Sequence, residues 1–303
     1  MSRDPLRPDP MRPELPRQGP IRRLRRRFRP RTRPRFDGLS FNRLIPNLMT
    51  MLGLCAGLVA IRAAMEDRFA MAAALIVAAA VIDGLDGRLA RLLKATSRFG
   101  AEFDSLSDFL CFGVAPALIL YLWTMQDARG IGFVPCLLFA VCMALRLARF
   151  NATIDVGLTP KPAYAYNFFT GVPAPAGAAV ALFPLFAGLA INDWGQGAWV
   201  HLLRNPILVG LVLTVTAGLL VSTLPTWSFK NFKIPRAAVL PVLLGAGLFL
   251  ALLLSEPWAA LAALGLLYIG MLPFSVRSYQ RLKREAESLL EPVVVSETPR
   301  PPA

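Results

Sequence analysis

Eight long apolar blocks dominate this sequence, and each is close to the length that a helix needs to cross a bilayer, about 20 residues. Hydrophobic residues fill 55% of the 303 positions, whereas soluble domains typically contain about 45–50%. The sequence therefore predicts an all-α fold: a polytopic membrane bundle with about eight transmembrane helices. The predicted spans are 45–64, 69–90, 105–125, 131–149, 172–191, 205–224, 236–254 and 257–276.

The distribution of lysine and arginine predicts how these spans are oriented, because cytoplasmic loops carry an excess of both residues. Eight crossings place four basic segments on one side, together with the arginine-rich N-terminus. An odd number of spans would move the last of these segments to the other side, so we expect both termini in the cytoplasm. The four segments are 88–98, 146–161, 230–236 and 277–284.

The first 37 residues contain thirteen arginines, many prolines and few large apolar side chains. Such a segment buries too little surface to offset the entropy of ordering, so we expect a disordered cytoplasmic tail over residues 1–40. It lacks the apolar stretch of a secretory signal. Beside a membrane span, its predicted partner is anionic lipid rather than nucleic acid. A membrane domain at 41–284 and a flexible tail at 285–303 complete the predicted organisation.

Four aspartates interrupt two of the apolar blocks. A charged side chain at mid-helix costs about 2.5–3.5 kcal/mol on the insertion scale, so carboxylates there need a specific reason. Asp83 and Asp86 are three residues apart, and Asp104 and Asp108 are four apart, so each pair shares one helix face. The short segment between the pairs predicts antiparallel neighbouring helices whose carboxylates face each other at the cytoplasmic end.

Four close carboxylates repel one another unless cations lie between them. An oxygen-only cluster suits Mg²⁺ or Mn²⁺, and two such ions are the usual arrangement for displacement at phosphorus. Gly87 and Ala90 have almost no side chain, so a bulky nucleotide could approach the helix backbone there. Arg91 is placed to meet a phosphate oxygen with forked hydrogen bonds.

The residues alone leave three further roles open for these aspartates. They could form helix-end salt bridges with cations such as Arg88, Arg91 and Arg98. They could line the ion pathway of a cation transporter, since intramembrane carboxylates also mark such pathways. The chain could also be a membrane scaffold whose basic tail binds lipid or partner proteins.

The pattern D-x2-D-G-x2-A-R-x8-G-x3-D-x3-D runs from Asp83 to Asp108, with Gly100 between. It resembles the signature of the CDP-alcohol phosphatidyltransferases, which transfer a phosphatidyl group from a CDP-linked lipid to an alcohol and release CMP. The resemblance implies one metal on Asp83, Asp86 and Asp104, and a second on Asp83, Asp104 and Asp108. It also implies that Asp108 is the base that deprotonates the attacking hydroxyl, and that the protein is a homodimer.

The same resemblance implies which residues contact the CDP group. These are Gly87, Ala90, Arg91 and Ser97, with Asn47 and Thr50 as further candidates from the opening of the first span. For Asn47 the alternative is a helix cap. The resemblance also implies an integral protein of the bacterial inner membrane with its active site on the cytoplasmic face.

The motif is common to the whole family and does not identify the acceptor alcohol. Four other stretches resemble the serine-using branch, the phosphatidylserine synthases, and imply CDP-diacylglycerol and L-serine as substrates. Arg146 and Arg149 are then expected to hold the serine carboxylate or a phosphate, unless they are ordinary cytoplasmic-end charges. Glycerol 3-phosphate, inositol phosphate, choline or a second phospholipid stay open as acceptors. The four stretches are 45–50, 146–151, 169–177 and 228–235.

Overall fold

The computed structural model describes residues 41–155, 168–195, 197–227 and 238–296. The predictions for the tail at 1–40, for the stretch at 228–235 and for the end of the chain at 297–303 lie outside these residues. The domain boundaries at 40 and 284 stay predictions.

Helices make up nearly all of the described chain. In chain order they are α1 Phe41–Met65, α2 Phe69–Leu92, α3 Arg98–Asp108, a π-helix Phe109–Val114, α4 Ala115–Trp123, a 3₁₀-helix Met125–Ala128, α5 Arg129–Asp155, α6 Ala174–Ala181, α7 Phe183–Asp193, α8 Gly197–Leu203, α9 Pro206–Val221, α10 Val239–Ser255 and α11 Pro257–Ser296.

Within the described residues, each of the eight predicted spans is helical over most of its length, which confirms an α-helical polytopic membrane protein. Five helical segments of the described chain, 22 to 29 residues long, are apolar and long enough to cross a membrane. The bent pair α6–α7 provides a sixth. The α9 and α10 helices, with 16 and 17 residues, fall below the usual spanning length. The number eight and the cytoplasmic termini therefore stay predictions.

The predicted fifth span, 172–191, is not one straight helix. It divides at Leu182 into α6 and α7, which meet at an angle of 47°. Pro184 lies in the first turn of α7, where its missing N–H is tolerated, but within a continuous helix its ring would clash with the preceding turn. The proline therefore explains the break.

The predicted third span, 105–125, begins earlier and is not uniform. The α3 helix begins at Arg98, the π-helix follows directly after Asp108, and Pro116 opens α4. A π-turn widens the helix and leaves room for a proline, which lacks the N–H that the regular ladder requires. Such turns occur frequently at functional sites.

Two further differences concern the ends of predicted elements. The last helix, α11, continues to Ser296, so the first part of the segment predicted as a loose tail from residue 285 is helical. The fold is also not purely helical, because strands β1 (Phe168–Thr170) and β2 (Pro225–Trp227) form a small antiparallel sheet. Phe168 pairs with Trp227, and Thr170 pairs with Pro225.

Small residues let α1 pack closely against its neighbours and so place the aspartates. The facing surfaces of α1 and α2 bury alanines, including Ala60, Ala64 and Ala72, and such residues allow the close helix approach that is common in membranes. A side chain at Gly57 would place its Cβ 2.7 Å from Sγ of Cys111, so α1 also touches the π-helix. These contacts pack α1 against α2 and against the π-helix that follows α3.

Candidate active site

Three of the four aspartates converge where α2 meets α3. Asp83 projects from α2, whereas Asp104 and Asp108 project from successive turns of α3. One carboxylate oxygen from each residue lies within 4.8 Å of the other two, and all three side chains are half-buried. The predicted facing of the two pairs is therefore correct for these three residues.

The fourth aspartate, Asp86, is held differently from the other three. It is the most buried of the four, with 4% of its surface exposed. Its Oδ2 accepts a hydrogen bond of 2.7 Å from Oγ1 of Thr50 on α1, a short bond of the charge-assisted kind. Asp86 therefore belongs to the wall of the site, next to the three-carboxylate group, rather than to that group itself.

The predicted alternative of helix-end salt bridges is not what the structure contains. Within the described residues, the ion pairs join Arg62 and Arg68 to Glu66, and Arg281 to Glu285. None of the four aspartates is paired with Arg88, Arg91 or Arg98 in this part of the chain. The carboxyl groups of Asp83 and Asp108 instead lie within hydrogen-bonding reach of each other. Like charges at this spacing are stable only with a cation or a shared proton between them.

The donor set of this cluster fits a hard divalent cation. Every ligand atom that Asp83, Asp104 and Asp108 can offer is a carboxylate oxygen, and the described part of the chain places neither a histidine nor a thiolate in that group. Oxygen-only sites favour Mg²⁺, Ca²⁺ and Mn²⁺ over metals that prefer nitrogen or sulfur. The cluster could therefore bind a divalent metal ion.

A cavity of about 440 Å³ opens beside the aspartates and brings together the predicted nucleotide contacts. Among the described residues, its walls come from α1, α2, α3, the segment between α2 and α3, and the end of α5. Its lining includes Asn47, Thr50, Asp86, Gly87, Ala90, Arg91, Ser97, Gly100, Asp104, Ser105, Phe150 and Asn151.

Two glycines show how the cavity keeps its shape. A Cβ at Gly87 would meet no atom within 4 Å, so the helix backbone is open to the cavity there. A Cβ at Gly100, in contrast, would lie 3.0 Å from Oδ1 of Asn47 and 3.1 Å from Oγ of Ser97. Gly87 thus provides open space for a ligand, and Gly100 lets α1 and α3 approach each other.

Asn47 and Ser97 are both at the cavity, although in different local roles. Asn47 lies within α1, which begins at Phe41, so the alternative that it caps the helix is wrong. Oγ of Ser97 accepts a 2.9 Å hydrogen bond from the N–H of Gly100 and caps the start of α3. The hydroxyl hydrogen of Ser97 is still available to donate to a ligand. The N-terminus of α3, which favours anions, therefore borders the cavity.

The two arginines predicted at the acceptor site are tied to backbone carbonyls. Nε of Arg146 donates to the carbonyl of Val172 over 2.7 Å. Arg149 donates to the carbonyls of Val221 and Ser222, which end α9 and lack partners within that helix. Arg149 therefore caps a helix, whereas Arg146 interacts electrostatically with Asp108 as well.

Sequence reasoning did not single out Ser105, Phe150 and Asn151 as individual contacts. Asn151 donates from Nδ2 to Oγ of Ser105 over 3.0 Å, which joins α5 to α3 beside Asp104. The sequence signal was a polar residue directly after the basic end of an apolar helix. That signal becomes specific only once α5 is seen to lie against α3.

Comparison with known proteins agrees with this site. The family model for CDP-alcohol phosphatidyltransferase matches residues 43–222, and that for CDP-alcohol phosphatidyltransferase 2 matches residues 237–273. The matched region includes the whole aspartate motif and the cavity lining.

Several curated relatives are similar over most of the chain. The CDP-diacylglycerol–serine O-phosphatidyltransferase of Mycobacterium tuberculosis is 42% identical over 80% of this chain and 82% of its own length. The protein of the same name from Mycobacterium leprae is 40% identical over 85% of this chain and 82% of its own. That of Helicobacter pylori is 35% identical over 75% and 88%. With the aspartate motif and its cavity, these matches show that the chain belongs to the CDP-alcohol phosphatidyltransferase family.

Proposed function

We propose that this protein transfers the phosphatidyl group of CDP-diacylglycerol to L-serine and releases phosphatidylserine and CMP. The observation that carries the proposal is the convergence of Asp83, Asp104 and Asp108 beside a cavity of about 440 Å³. The acceptor follows from the relatives, which are named as serine O-phosphatidyltransferases.

The donor lipid is proposed to bind with its CDP group in this cavity and its acyl chains in the cytoplasmic leaflet. Gly87 and Ala90 leave the face of α2 open to the nucleotide, and Arg91 offers forked hydrogen bonds to the diphosphate. Asn47, Thr50 and Ser97 supply further polar contacts from α1 and from the start of α3. The residues that line the cavity support this placement.

The aspartates are proposed to hold two divalent ions, Mg²⁺ or Mn²⁺, with Asp83 and Asp104 shared between them. Asp86 would complete one ligand set, and Asp108 the other. A divalent requirement is general in the family. When bound, such ions neutralise the diphosphate and stabilise the leaving CMP.

Asp108 is proposed as the base of the reaction. It accepts the proton of the serine hydroxyl while the serine oxygen attacks the phosphorus that carries the diacylglycerol. The new bond joins that oxygen to phosphorus, and the bond between this phosphorus and the bridging oxygen of CMP breaks. The position of Asp108 in the carboxylate group, on α3, supports the assignment. Direct attack predicts inversion of configuration at this phosphorus.

Arg146 is the stronger of the two candidates for the serine carboxylate. Only its Nε is bonded to the backbone among the described residues, so the remaining guanidinium hydrogens can meet a ligand. Arg149 is proposed to act mainly through the end of α9, which it caps.

Three wider features complete the proposal. The active site faces the cytoplasm of a bacterial inner membrane, as the distribution of lysine and arginine along the sequence predicts. The arginine-rich tail at 1–40 binds anionic lipid. The protein acts as a homodimer.

The experiment uses the purified full chain with CDP-diacylglycerol and a panel of alcohols, and it measures both CMP release and the lipid product. Serine-dependent CMP release with phosphatidylserine as product supports the proposal. Release with glycerol 3-phosphate, inositol phosphate or choline instead would move the acceptor to another alcohol. Cation flux without CMP formation would reject the enzyme in favour of a transporter.

A further inference from the structure

The end of α5 makes a distinct contribution to the cavity. All other described lining residues come from α1, α2, α3 or the segment that joins α2 to α3, whereas Phe150 and Asn151 come from α5. The first group surrounds the aspartates and the open face of α2, which serve a donor that every family member shares. Selection of the acceptor is expected from a residue outside that group, and within the described lining α5 is the element that supplies one.

Asn151 is held in a defined orientation. Its Nδ2 donates to Oγ of Ser105 over 3.0 Å. The single hydroxyl hydrogen of Ser105 lies between two acceptors: the carbonyl of Ala101 at 3.1 Å and Oδ1 of Asn151 at 3.3 Å. Because the hydroxyl hydrogen of Ser105 favours the closer carbonyl of Ala101, Oδ1 of Asn151 can accept a further hydrogen bond. The oxygen and nitrogen of the Asn151 amide are assigned from this hydrogen-bond network. Asn151 lines the cavity, and its fixed amide keeps a carbonyl oxygen that can accept from a ligand.

The partners near this oxygen suit the two charged groups of an amino acid. Ser105 follows Asp104 directly on α3, one of the aspartates proposed to hold the metal ions. Arg146 precedes Asn151 by five residues on α5, about 7.5 Å along the helix axis, and interacts with Asp108. Asn151 therefore offers an uncharged acceptor for an ammonium group, and Arg146 offers a cation for a carboxylate.

We propose that Asn151, positioned by Ser105, binds the ammonium group of the amino-acid acceptor and makes the site selective for it. This inference rests on the proposed function, because it assigns a contact to the acceptor of that reaction. Asn151 is then a binding residue, and Ser105 is a positioning residue.

The test compares two substitutions that differ in one property. Asn151→Leu removes the polar group at nearly constant size, whereas Asn151→Asp keeps an acceptor oxygen. We expect Asn151→Leu to raise the serine KM about tenfold, the cost of a lost hydrogen bond to a charged group, with little change in kcat or in the KM for CDP-diacylglycerol. Asn151→Asp should keep a serine KM near that of the wild type. Asn192→Leu, an exposed asparagine near the end of α7, makes the same chemical change far from the cavity and should change neither constant.

Acceptor analogues separate binding from a structural effect. Ethanolamine keeps the ammonium group and lacks the carboxylate, and 3-hydroxypropionate has the reverse pattern. Measured as competitors of serine, ethanolamine should lose about tenfold in affinity for the Asn151→Leu protein. The affinity of 3-hydroxypropionate should be the same for both proteins. Ser105→Ala should produce a smaller loss with the same dependence on the ammonium group.

Several outcomes would overturn the inference. An unchanged serine KM in Asn151→Leu, equal losses in Asn151→Leu and Asn151→Asp, or a rise confined to the KM for CDP-diacylglycerol would each reject it. A loss of affinity for 3-hydroxypropionate as large as that for ethanolamine would assign the effect to packing. These results leave serine-dependent CMP release by the wild type intact, whereas its absence would reject the proposed function itself.

Discussion

The α2 and α10 helices use exposed surface in opposite ways. The α10 helix contains no charged residue, and none of its side chains is buried; leucines such as Leu243 and Leu244 cover it. The α2 helix is apolar for most of its length, but its C-terminal part contains Asp83 and Asp86 together with Gly84 and Gly87. In a bilayer an exposed leucine is the ordinary case, whereas a carboxylate is costly. The contrast shows that a functional requirement at the C-terminal part of α2 outweighs the cost of placing carboxylates in an apolar helix.

The largest effect is expected from Asp108→Asn, which keeps the size of the side chain and removes its charge. Loss of the proposed base and metal ligand should lower kcat by about 10³-fold or more. The melting temperature should not fall, because one of several crowded like charges is gone. CMP release and thermal unfolding in detergent measure the two quantities.

Asp127→Asn makes the same chemical change at an exposed site, in the 3₁₀-helix Met125–Ala128. It should leave both activity and melting temperature unchanged. Near-normal turnover of Asp108→Asn would reject its role as base.

Two glycine substitutions should distinguish a glycine that leaves room for the ligand from a glycine that allows two helices to pack closely. Gly87→Leu meets no protein atom within 4 Å of its Cβ, so it should fold normally, while its side chain fills the cavity and raises the KM for CDP-diacylglycerol by about 10-fold to 100-fold. Gly57→Leu should instead lower the free energy of unfolding by about 1–3 kcal/mol, because its Cβ would lie 2.7 Å from Sγ of Cys111. If Gly87→Leu retains normal donor kinetics, the nucleotide does not use the open face of α2.

The two arginines of α5 offer a smaller and more selective contrast. Arg149→Met should lower the free energy of unfolding by about 1–2 kcal/mol, since the carbonyls of Val221 and Ser222 lose a charged donor. Its serine KM should change little. Arg146→Met should raise the serine KM about tenfold or more, through loss of a charge-assisted contact to the carboxylate. The reverse pattern in serine kinetics and thermal unfolding would exchange the two roles.

The smallest effect is expected on α10. Leu244→Val keeps an apolar side chain on an exposed face and should change the free energy of unfolding by no more than about 0.5 kcal/mol. Leu244→Asp at the same position should cost about 2.5–3.5 kcal/mol of membrane insertion. Glycosylation-based insertion assays would measure both. Equal insertion of the two variants would mean that this face of α10 does not contact lipid.

The sequence predicts best the parts of this molecule that depend on spacing along one helix. Apolar length located the helical segments of the eight predicted spans, although not the short α8 between the fifth and sixth. The three- and four-residue separations of the aspartates predicted their shared faces. The break at Leu182 was also readable in principle, because Pro184 cannot continue a helix without strain. Apolar length alone predicted one continuous span at 172–191, since both halves are apolar.

Contacts between helices account for what sequence reasoning missed. The separation of Asp86 from the other three aspartates depends on Thr50, which is 36 residues away along the chain. The capping role of Arg149 depends on the end of α9, more than 70 residues further on. The π-helix after Asp108, which precedes Pro116, leaves no trace in hydropathy. Such features require the packing of α1, α5 and α9 to be known.

The most direct test of the central claim measures divalent ion binding and turnover in the same sample. Metal-free protein is titrated with Mn²⁺ in the presence of CDP-diacylglycerol and serine, with bound Mn²⁺ followed by electron paramagnetic resonance and CMP release followed in parallel. We expect CMP release to rise with Mn²⁺ occupancy in the wild type, and both signals to be lost in Asp104→Asn. Full turnover without divalent ions, or unchanged Mn²⁺ binding in Asp104→Asn, would contradict an aspartate cluster that binds the ions required for phosphatidyl transfer.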